Sequence, residues 1–108
     1  MSHLHNSLSQ EHAKREVTLS GGQQSSTSYD FTLFDPHALF AIAEVLKKGA
    51  DKYGTDNPRY ISVNSHLNHA LAHIYAHLAN DKQDNHLINA CCRLIFALTN
   101  NIKGELTR

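Results

Sequence analysis

The sequence predicts an all-α domain of three helices, in which an N-terminal helix precedes an antiparallel helical hairpin. Three observations predict this fold: apolar residues recur at helical spacing in three segments, a capping residue precedes each segment, and short polar loops separate them. Because short loops make neighbouring helices antiparallel, we expect the last two helices to form the hairpin. A chain of 108 residues buries a limited fraction of its surface, so an oligomer is also expected.

The first 28 residues are polar and are predicted to form a flexible arm. Their second half, SGGQQSSTS, has low hydrophobicity and two glycines, so it cannot offset the entropy cost of its own ordering. An arm that becomes ordered on a neighbouring subunit or on a ligand is the alternative. Residues 29–103 are then predicted to form the helical domain.

The first helix is predicted to begin at Asp35, a capping carboxylate that is followed by Pro36 at the first helical position. Gly54 is suited to end it. Its apolar residues recur every three or four positions: Leu39, Ile42, Ala43, Leu46 and Ala50.

The second and third helices have similar signals. Ser62, Asn64 or Ser65 can cap the second helix, which is expected to reach about Ala79. The third helix is predicted to follow a cap at residue 84 or 85 and to end before residue 104.

Composition excludes two classes of partner. Lys plus Arg equals Asp plus Glu, ten each, and a neutral chain lacks the basic field that nonspecific nucleic-acid binding needs. No run approaches the roughly 18 apolar residues of a membrane span, and no signal peptide is apparent at the N-terminus. The adjacent Cys91 and Cys92 favour a reducing cytoplasm over a disulfide framework.

Four of the nine histidines lie in one segment, HLNHALAHIYAHL: His66, His69, His73 and His77. On a helical wheel they fall within an arc of about 80° that adjoins the arc of the apolar residues. Since the apolar arc faces the core, the histidine arc borders the core, which is where a pocket wall or a subunit contact would lie.

The other helices carry polar residues at matching spacing. The third has His86, Asn89 and Arg93, and the first has Glu44, Lys48 and Asp51. In an antiparallel hairpin the polar stripes of the last two helices can face a shared cleft, which we expect to be a solvent-accessible hollow completed by acids of the first helix.

Four interpretations of this hollow remain open. Histidines four apart can bind zinc, although no glutamate lies between them as in HExxH helices. Magnesium needs several carboxylates, for which Glu44, Asp51, Asp81 and Asp84 are available. Imidazoles, lysines and arginines can instead donate hydrogen bonds to an anionic ligand. The fourth is a hydrogen-bonded seam between subunits.

Three segments, FDPHALFAIAEVLKKGADKYGTDN, HALAHIYAHLAND and DNHLINACCRLIFAL, resemble the small phage dATP/dGTP diphosphohydrolase N-terminal domain family over residues 31–98. GADKYGTDN is the most specific block. The chain departs from the family pattern at Pro58, where tryptophan is usual, at Ala72, where arginine is usual, and at Asn89, where a second histidine is usual.

The resemblance implies an all-α fold akin to nucleoside triphosphate pyrophosphohydrolases, encoded by a phage and located in the host cytoplasm. It places Gly49, Lys52, Tyr53 and Asn57 in the first motif, His73 in the second, and Asp84 and His86 in the third. For such an enzyme, we expect Glu44, Asp51 and Asp84 to bind magnesium, and His73 with Glu44 to be catalytic. The expected nucleotide- and phosphate-binding residues are Lys48, Lys52, Tyr53, Asn57, His69, His77, His86, Asn89 and Arg93.

Two functions are therefore predicted side by side. The first is a metal-dependent pyrophosphohydrolase of purine (deoxy)nucleoside triphosphates, assembled as a homo-oligomer. The second is a non-enzymatic phage protein on the same scaffold, which binds a nucleotide, a nucleotide-derived signal or a host protein and so inhibits host defence. A helical assembly protein without a small ligand is a third alternative.

Overall fold

The computed structural model describes residues 14–108. Three helices dominate it: α1 spans Pro36–Tyr53, α2 spans Val63–Leu78 and α3 spans His86–Lys103. The predicted all-α class and its three helices are therefore confirmed. Two compact units are distinguished, one ending at Phe34 and one spanning Asp35–Arg108.

The helices begin and end at the residues that the sequence predicts. Asp35 accepts a hydrogen bond from the backbone N–H of His37 at 2.8 Å, and Ser62 accepts one from Ser65 at 3.0 Å. Gly54 and Gly104 follow α1 and α3 with φ of 96° and 85°, a left-handed region in which a β-carbon would be strained.

The two long helices α2 and α3 form the predicted antiparallel hairpin. Near the start of α2, His66 contacts Phe96 of α3 (ring centroids 5.4 Å apart), whereas farther along α2, His73 contacts the first residue of α3, His86 (5.2 Å). The buried apolar side chains of the hairpin are small: Ala70, Ala90, Cys92 and Ala97. Small side chains let the helices approach closely, but they leave little apolar area in the core of one chain.

The larger apolar side chains of the hairpin lie on its outer surface. On α2 and α3 these exposed residues include Leu67, Leu71, Leu78, Leu87, Leu94 and Leu98. Surface leucines are common singly, but a row of them on two packed helices is a feature of proteins that bind a partner.

The segment between α1 and α2 is held by the C-terminal tail and by α3. The buried Asn100 of α3 donates to the carbonyls of Pro58 and Ile61 at 3.0 and 2.8 Å and accepts from Nε of Arg59 at 3.0 Å. Arg59 also donates to the carbonyl of Gly104 at 2.9 Å. The short helical turn Asn57–Tyr60 is thereby fixed beside α3.

Residues 14–34 form a separate small unit. Strands β1 (Arg15–Val17) and β2 (Gln23–Ser25) pair antiparallel, and Gly21, with φ of 88°, lies in the connecting turn. Its strand side chains are exposed. The sequence pattern does not predict this hairpin. The flexible arm over residues 1–28 stays a prediction, and the first 13 of those residues lie outside the described part of the chain.

Within residues 14–108, none of the helices combines the length and the apolar character that crossing a membrane requires.

Candidate functional site

Two adjoining hollows open between the helices of the Asp35–Arg108 unit. The first, here the apolar hollow, has a volume of about 600 Å³, and its wall is mostly apolar: Val45, Leu46, Ala50, Pro58, Ile61 and Phe96. The second, here the polar hollow, has a volume of about 730 Å³ and is lined by Glu44, Lys48, Lys52, His73 and Asp84, among others. Glu44 and two lysines of α1 thus share a hollow with a histidine of α2.

Five residues line both hollows: Val45, Gly49, Tyr53, Asn89 and Arg93. Gly49 occupies a position at which an added β-carbon would meet no atom within 4 Å, so the helix leaves open space there. Arg93 and Asn89 bring a guanidinium and an amide to the boundary. One elongated ligand could therefore occupy both hollows and contact this shared wall.

His66 is a fully buried residue in the wall of the apolar hollow. Its Nε2–H donates to the carbonyl of Pro58 at 2.9 Å, and its Nδ1 accepts from Nη1 of Arg93 at 3.1 Å. Burial, helped by the nearby Arg93 charge, lowers the pKa of His66 below the ordinary 6.5. The imidazole is therefore neutral at pH 7, and it orients the arginine.

A hydrogen-bonded chain of three side chains reaches the polar hollow at His73. The carboxylate of Asp81 accepts from Nε2–H of His86 at 2.8 Å, and Nδ1 of His86 lies 2.9 Å from Nδ1 of His73. With His86 neutral, its Nδ1 accepts the His73 Nδ1–H, which leaves Nε2 of His73 as an unprotonated nitrogen. Burial and then the adjacent His86 lower the pKa of His73, while the His86 hydrogen bond lowers the pKa of Asp81.

The three carboxylates expected to bind magnesium are placed differently. Glu44 and Asp84 line the polar hollow, and Glu44 pairs with Lys48 at 3.2 Å. Asp51 is not among the residues that line it, and its carboxylate pairs with Lys47 at 2.8 Å one turn away. Among residues 14–108, the only group of three His, Cys, Asp or Glu ligand atoms within 4.8 Å of one another is His73, Asp84 and His86.

The residues expected to bind the nucleotide divide into three sets. Lys48, Lys52, Tyr53, Asn89 and Arg93 line the polar hollow, and Asn57 lines the apolar one. His69 and His77 are exposed and line neither. His86 is buried, 9% exposed, and both of its ring nitrogens are hydrogen-bonded within the chain.

Two residues of this region were not assigned to the predicted site: His66, and Asp81, which was named only as an available carboxylate. His66 belongs to the predicted histidine stripe and lies seven residues before His73, so the helical repeat could have placed both on the hollow side. Asp81 precedes His86 by five residues, across a loop, and no helical periodicity connects them. Its hydrogen bond depends on the turn at residues 79–85, which sequence spacing does not fix.

Comparison with known proteins gives one result for this chain. Residues 18–108 match the model of the family described as dATP/dGTP diphosphohydrolase, N-terminal. No curated protein and no solved structure matches the chain. The family match confirms the resemblance that the three sequence segments indicate.

Proposed function

Because the chain belongs to the dATP/dGTP diphosphohydrolase N-terminal family, we propose that it binds a purine (deoxy)nucleoside triphosphate and hydrolyses it to a monophosphate and pyrophosphate. The observation that carries this proposal is the pairing of an apolar and a cation-lined hollow across a shared wall. A nucleotide has the same division, with an apolar, flat base at one end and anionic phosphates at the other.

In this proposal the apolar hollow receives the base. Phe96 and Tyr53 offer aromatic faces, while Asn89 offers an amide whose donor and acceptor can both hydrogen-bond a base edge. Apolar hollows with a few polar groups at defined positions are the usual form of small-molecule sites. Purines and pyrimidines present different hydrogen-bond donors and acceptors along their edges. Because the amide of Asn89 can bond to such an edge, we expect Asn89 to influence which base is preferred.

The polar hollow then receives the phosphates. Lys48, Lys52 and Arg93 bring three positive charges to its wall, and a guanidinium can bind two phosphate oxygens at once. Lys48 already pairs with Glu44, so a triphosphate would compete with that carboxylate for the ammonium group. The pair is exposed and therefore weak, which makes the exchange inexpensive.

Magnesium fits this hollow as a partner of the triphosphate. Mg²⁺ is usually bound by one or two carboxylates together with substrate phosphates, and Glu44 and Asp84 supply two carboxylates. When bound, the ion would neutralise charge that develops on the phosphates. Asp51 is not included, because it is not among the residues that line this hollow.

His73 is the residue proposed to act on the attacking water. Nδ1 of His73 is engaged by His86, so its Nε2 is the nitrogen that can accept a proton from water in the hollow. The lowered pKa keeps this imidazole neutral and able to accept that proton at pH 7. Asp81 and His86 hold the ring in this tautomer.

A second candidate function is binding without hydrolysis. It is favoured by the small number of free carboxylates: of the three acids expected to bind magnesium, one lies outside the polar hollow and one is paired with a lysine. Such a protein would retain a nucleotide or a nucleotide signal and thereby oppose a host response. If the protein instead inhibits host defence by binding a host protein, neither hollow needs to hold a nucleotide.

We propose that the protein assembles as a homo-oligomer through the outer face of the helical hairpin, and call this face the leucine seam. On α2 it consists of Leu67, Leu71, Ile74 and Leu78, and on α3 of Leu87, Cys91, Leu94 and Leu98. Both rows have the spacing four, three, four, which is the spacing of helices that pack side by side. Two such hairpins would bury their seams in a four-helix bundle.

Calorimetric titration of the protein with dATP and dGTP, with and without Mg²⁺, tests whether it binds these nucleotides. A pyrophosphate-release assay then distinguishes hydrolysis from binding without hydrolysis. Gly49→Leu is the informative variant, because its side chain would project into the space that both hollows share. We expect Gly49→Leu to abolish binding. Gly49→Ala is the matched control and should retain it while stabilising α1 by about 1 kcal/mol.

The outcomes separate the candidates. Nucleotide binding with magnesium-dependent release of pyrophosphate supports the enzyme, and binding without turnover supports the non-hydrolytic protein. If neither nucleotide binds, or if Gly49→Leu binds as tightly as the unchanged chain, the two hollows are not a nucleotide site.

A further inference from the structure

We propose that His73, Asp84 and His86 form a binding site for one divalent transition metal ion of the zinc class. One ligand atom from each residue lies within 4.8 Å of the other two, and the Nδ1 atoms of His73 and His86 are only 2.9 Å apart. The residues come from α2, from the start of α3 and from the loop between them. Metal binding itself requires no nucleotide.

The donor atoms select the class of metal. Imidazole nitrogen suits zinc, cobalt, nickel and iron, whereas magnesium and calcium prefer oxygen ligands throughout. With two nitrogens and one carboxylate, this cluster differs in its donor atoms from the Glu44 and Asp84 pair considered for magnesium, although the two share Asp84. Three protein ligands leave a fourth position of a tetrahedral ion open, which is the arrangement of catalytic rather than structural zinc sites.

His86 is already oriented as a metal ligand. Its Nε2–H donates to the carboxylate of Asp81 at 2.8 Å, so in its neutral form Nδ1 carries the lone pair. Histidines that bind metals usually donate their second ring N–H to a carboxylate or a carbonyl in this way, which fixes the tautomer and makes the ligating nitrogen more basic. Burial of His86 holds the ring in place.

The change that metal binding requires of the two histidines is small. Two nitrogens on a tetrahedral zinc ion lie about 3.3 Å apart, given Zn–N distances of about 2.0–2.1 Å. The two Nδ1 atoms therefore need to separate by a few tenths of an ångström. The hydrogen between them must also leave: it passes through solvent to Nε2 of His73, so that both imidazoles bind as neutral ligands and the proton count is unchanged. The role proposed above for Nε2 of His73, as acceptor of a proton from water, therefore belongs to the zinc-free protein.

The open coordination position would face the polar hollow, because His73 and Asp84 both line it. An anion or water there could bind the ion while Lys48, Lys52 and Arg93 hold further negative charge. This step rests on the proposed function, but occupancy of the site by a metal does not. The two can therefore be tested separately.

Titration of the metal-free protein with Zn²⁺ by calorimetry tests the site, and titration with Co²⁺ reports its geometry through visible absorption. Because His3, His5 and His12 offer further imidazoles, every protein in the series carries alanine at these positions. We expect one ion per chain and a tetrahedral cobalt spectrum. Asp84→Asn and His86→Gln should abolish both, and Asp81→Asn should weaken binding about 10- to 100-fold.

His77→Gln is the matched control, since His77 is an exposed histidine on the same helix as His73 and lies outside the cluster. Asp84 is exposed, so Asp84→Asn should fold normally, and circular dichroism checks each variant. Zinc binding that survives both Asp84→Asn and His86→Gln, or that His77→Gln reduces equally, overturns the site. His86 does not line the polar hollow, so intact magnesium-nucleotide binding by His86→Gln would leave the proposed function standing.

Discussion

Nη1 of Arg93 donates a hydrogen bond to Nδ1 of His66, with 3.1 Å between the two nitrogens. His66 is fully buried and neutral, while Arg93 lines both hollows. The neutral, buried imidazole of His66 thus holds the guanidinium of Arg93 at the wall shared by the two hollows. In the proposed function, the base lies on one side of this wall and the phosphates on the other. The contact uses one of the five N–H groups of the guanidinium, so the others remain available to a ligand.

Replacing this cation should weaken nucleotide binding. A hydrogen bond to a charged group contributes about 1.5–3 kcal/mol, so we expect Arg93→Met to raise the Kd for dATP about 10- to 100-fold in calorimetric titrations. Lys82 is an exposed loop residue that is absent from the walls of both hollows, so Lys82→Met removes one positive charge outside them and is the control. Equal weakening by both variants would attribute the effect to net charge alone and would contradict a direct contact.

The pH dependence of stability should report the burial of His66. Its folded-state pKa is lowered, mainly by burial and further by the charges of Arg93 and His69, and this outweighs the hydrogen bond to the carbonyl of Pro58 and the charge of Glu105, which raise the pKa. As the pH falls through 6.5, the unfolded chain takes up a proton that folded His66 resists, so the free energy of unfolding decreases. Above that pH the contribution is fully present.

Urea unfolding between pH 8 and pH 5 measures this effect in His66→Gln, whose amide can still donate to the carbonyl of Pro58. We expect the variant to be less stable at pH 8 but to lose less stability on acidification than the unchanged chain. His77→Gln, in which an exposed imidazole is removed, should retain the original pH slope. Identical slopes in all three proteins would show that His66 does not resist protonation.

The helices could be predicted because their signals are local. Each helix begins or ends at a residue whose effect extends over only one or two turns: Asp35-Pro36, Ser62 and the glycines after α1 and α3. Recognising these residues therefore needs no tertiary information. The two-stranded hairpin was missed. Its strands are only three residues long and lack alternation of apolar and polar residues, the signal by which strands are recognised.

The candidate site could be predicted only in part. Helical spacing correctly brings Glu44 and Lys48 to the same hollow, because residues four apart share a helix face. Spacing places Asp51 on the same helix face as Glu44 but does not show which residues of that face line the hollow. Asp51 does not line it and pairs with Lys47. The contacts of His86 with Asp81 and His73 depend on the loop and on helix packing.

The buried amide of Asn100 should be important for stability. It makes three hydrogen bonds to the segment between α1 and α2, and Asn100→Ala would leave the carbonyls of Pro58 and Ile61 without this donor. Since each unsatisfied buried group costs about 1–3 kcal/mol, we expect a loss of about 3 kcal/mol in the free energy of unfolding. Urea unfolding at fixed protein concentration measures it.

The neighbouring Asn101 provides the control for this measurement. It is exposed, and the same substitution there should change the free energy of unfolding by less than about 0.5 kcal/mol. A loss of similar size in both variants would mean that the amide of Asn100 contributes nothing specific and that the segment is held by its other contacts.

Two adjacent thiols should report whether the leucine seam is covered in solution. Cys91 lies on the seam and is exposed in a single chain, whereas Cys92 is buried, and this burial raises the pKa of its thiol. Thiolates react with iodoacetamide and thiols do not, so Cys92 should be labelled slowly in every state. In the assembled protein Cys91 should also be slow, because the second copy covers it.

Leu71→Gln places an amide in the centre of the seam and should release monomers, detected by light scattering, in which Cys91 is labelled much faster and Cys92 is still slow. Leu106→Gln alters an exposed leucine of the C-terminal tail, outside the seam, and should leave both the assembly and the labelling rates unchanged. Because mass spectrometry distinguishes the two neighbouring cysteines in one peptide, each chain carries its own reference thiol. Rapid labelling of Cys91 in a protein whose mass is that of an oligomer would show that the chains associate through a different face.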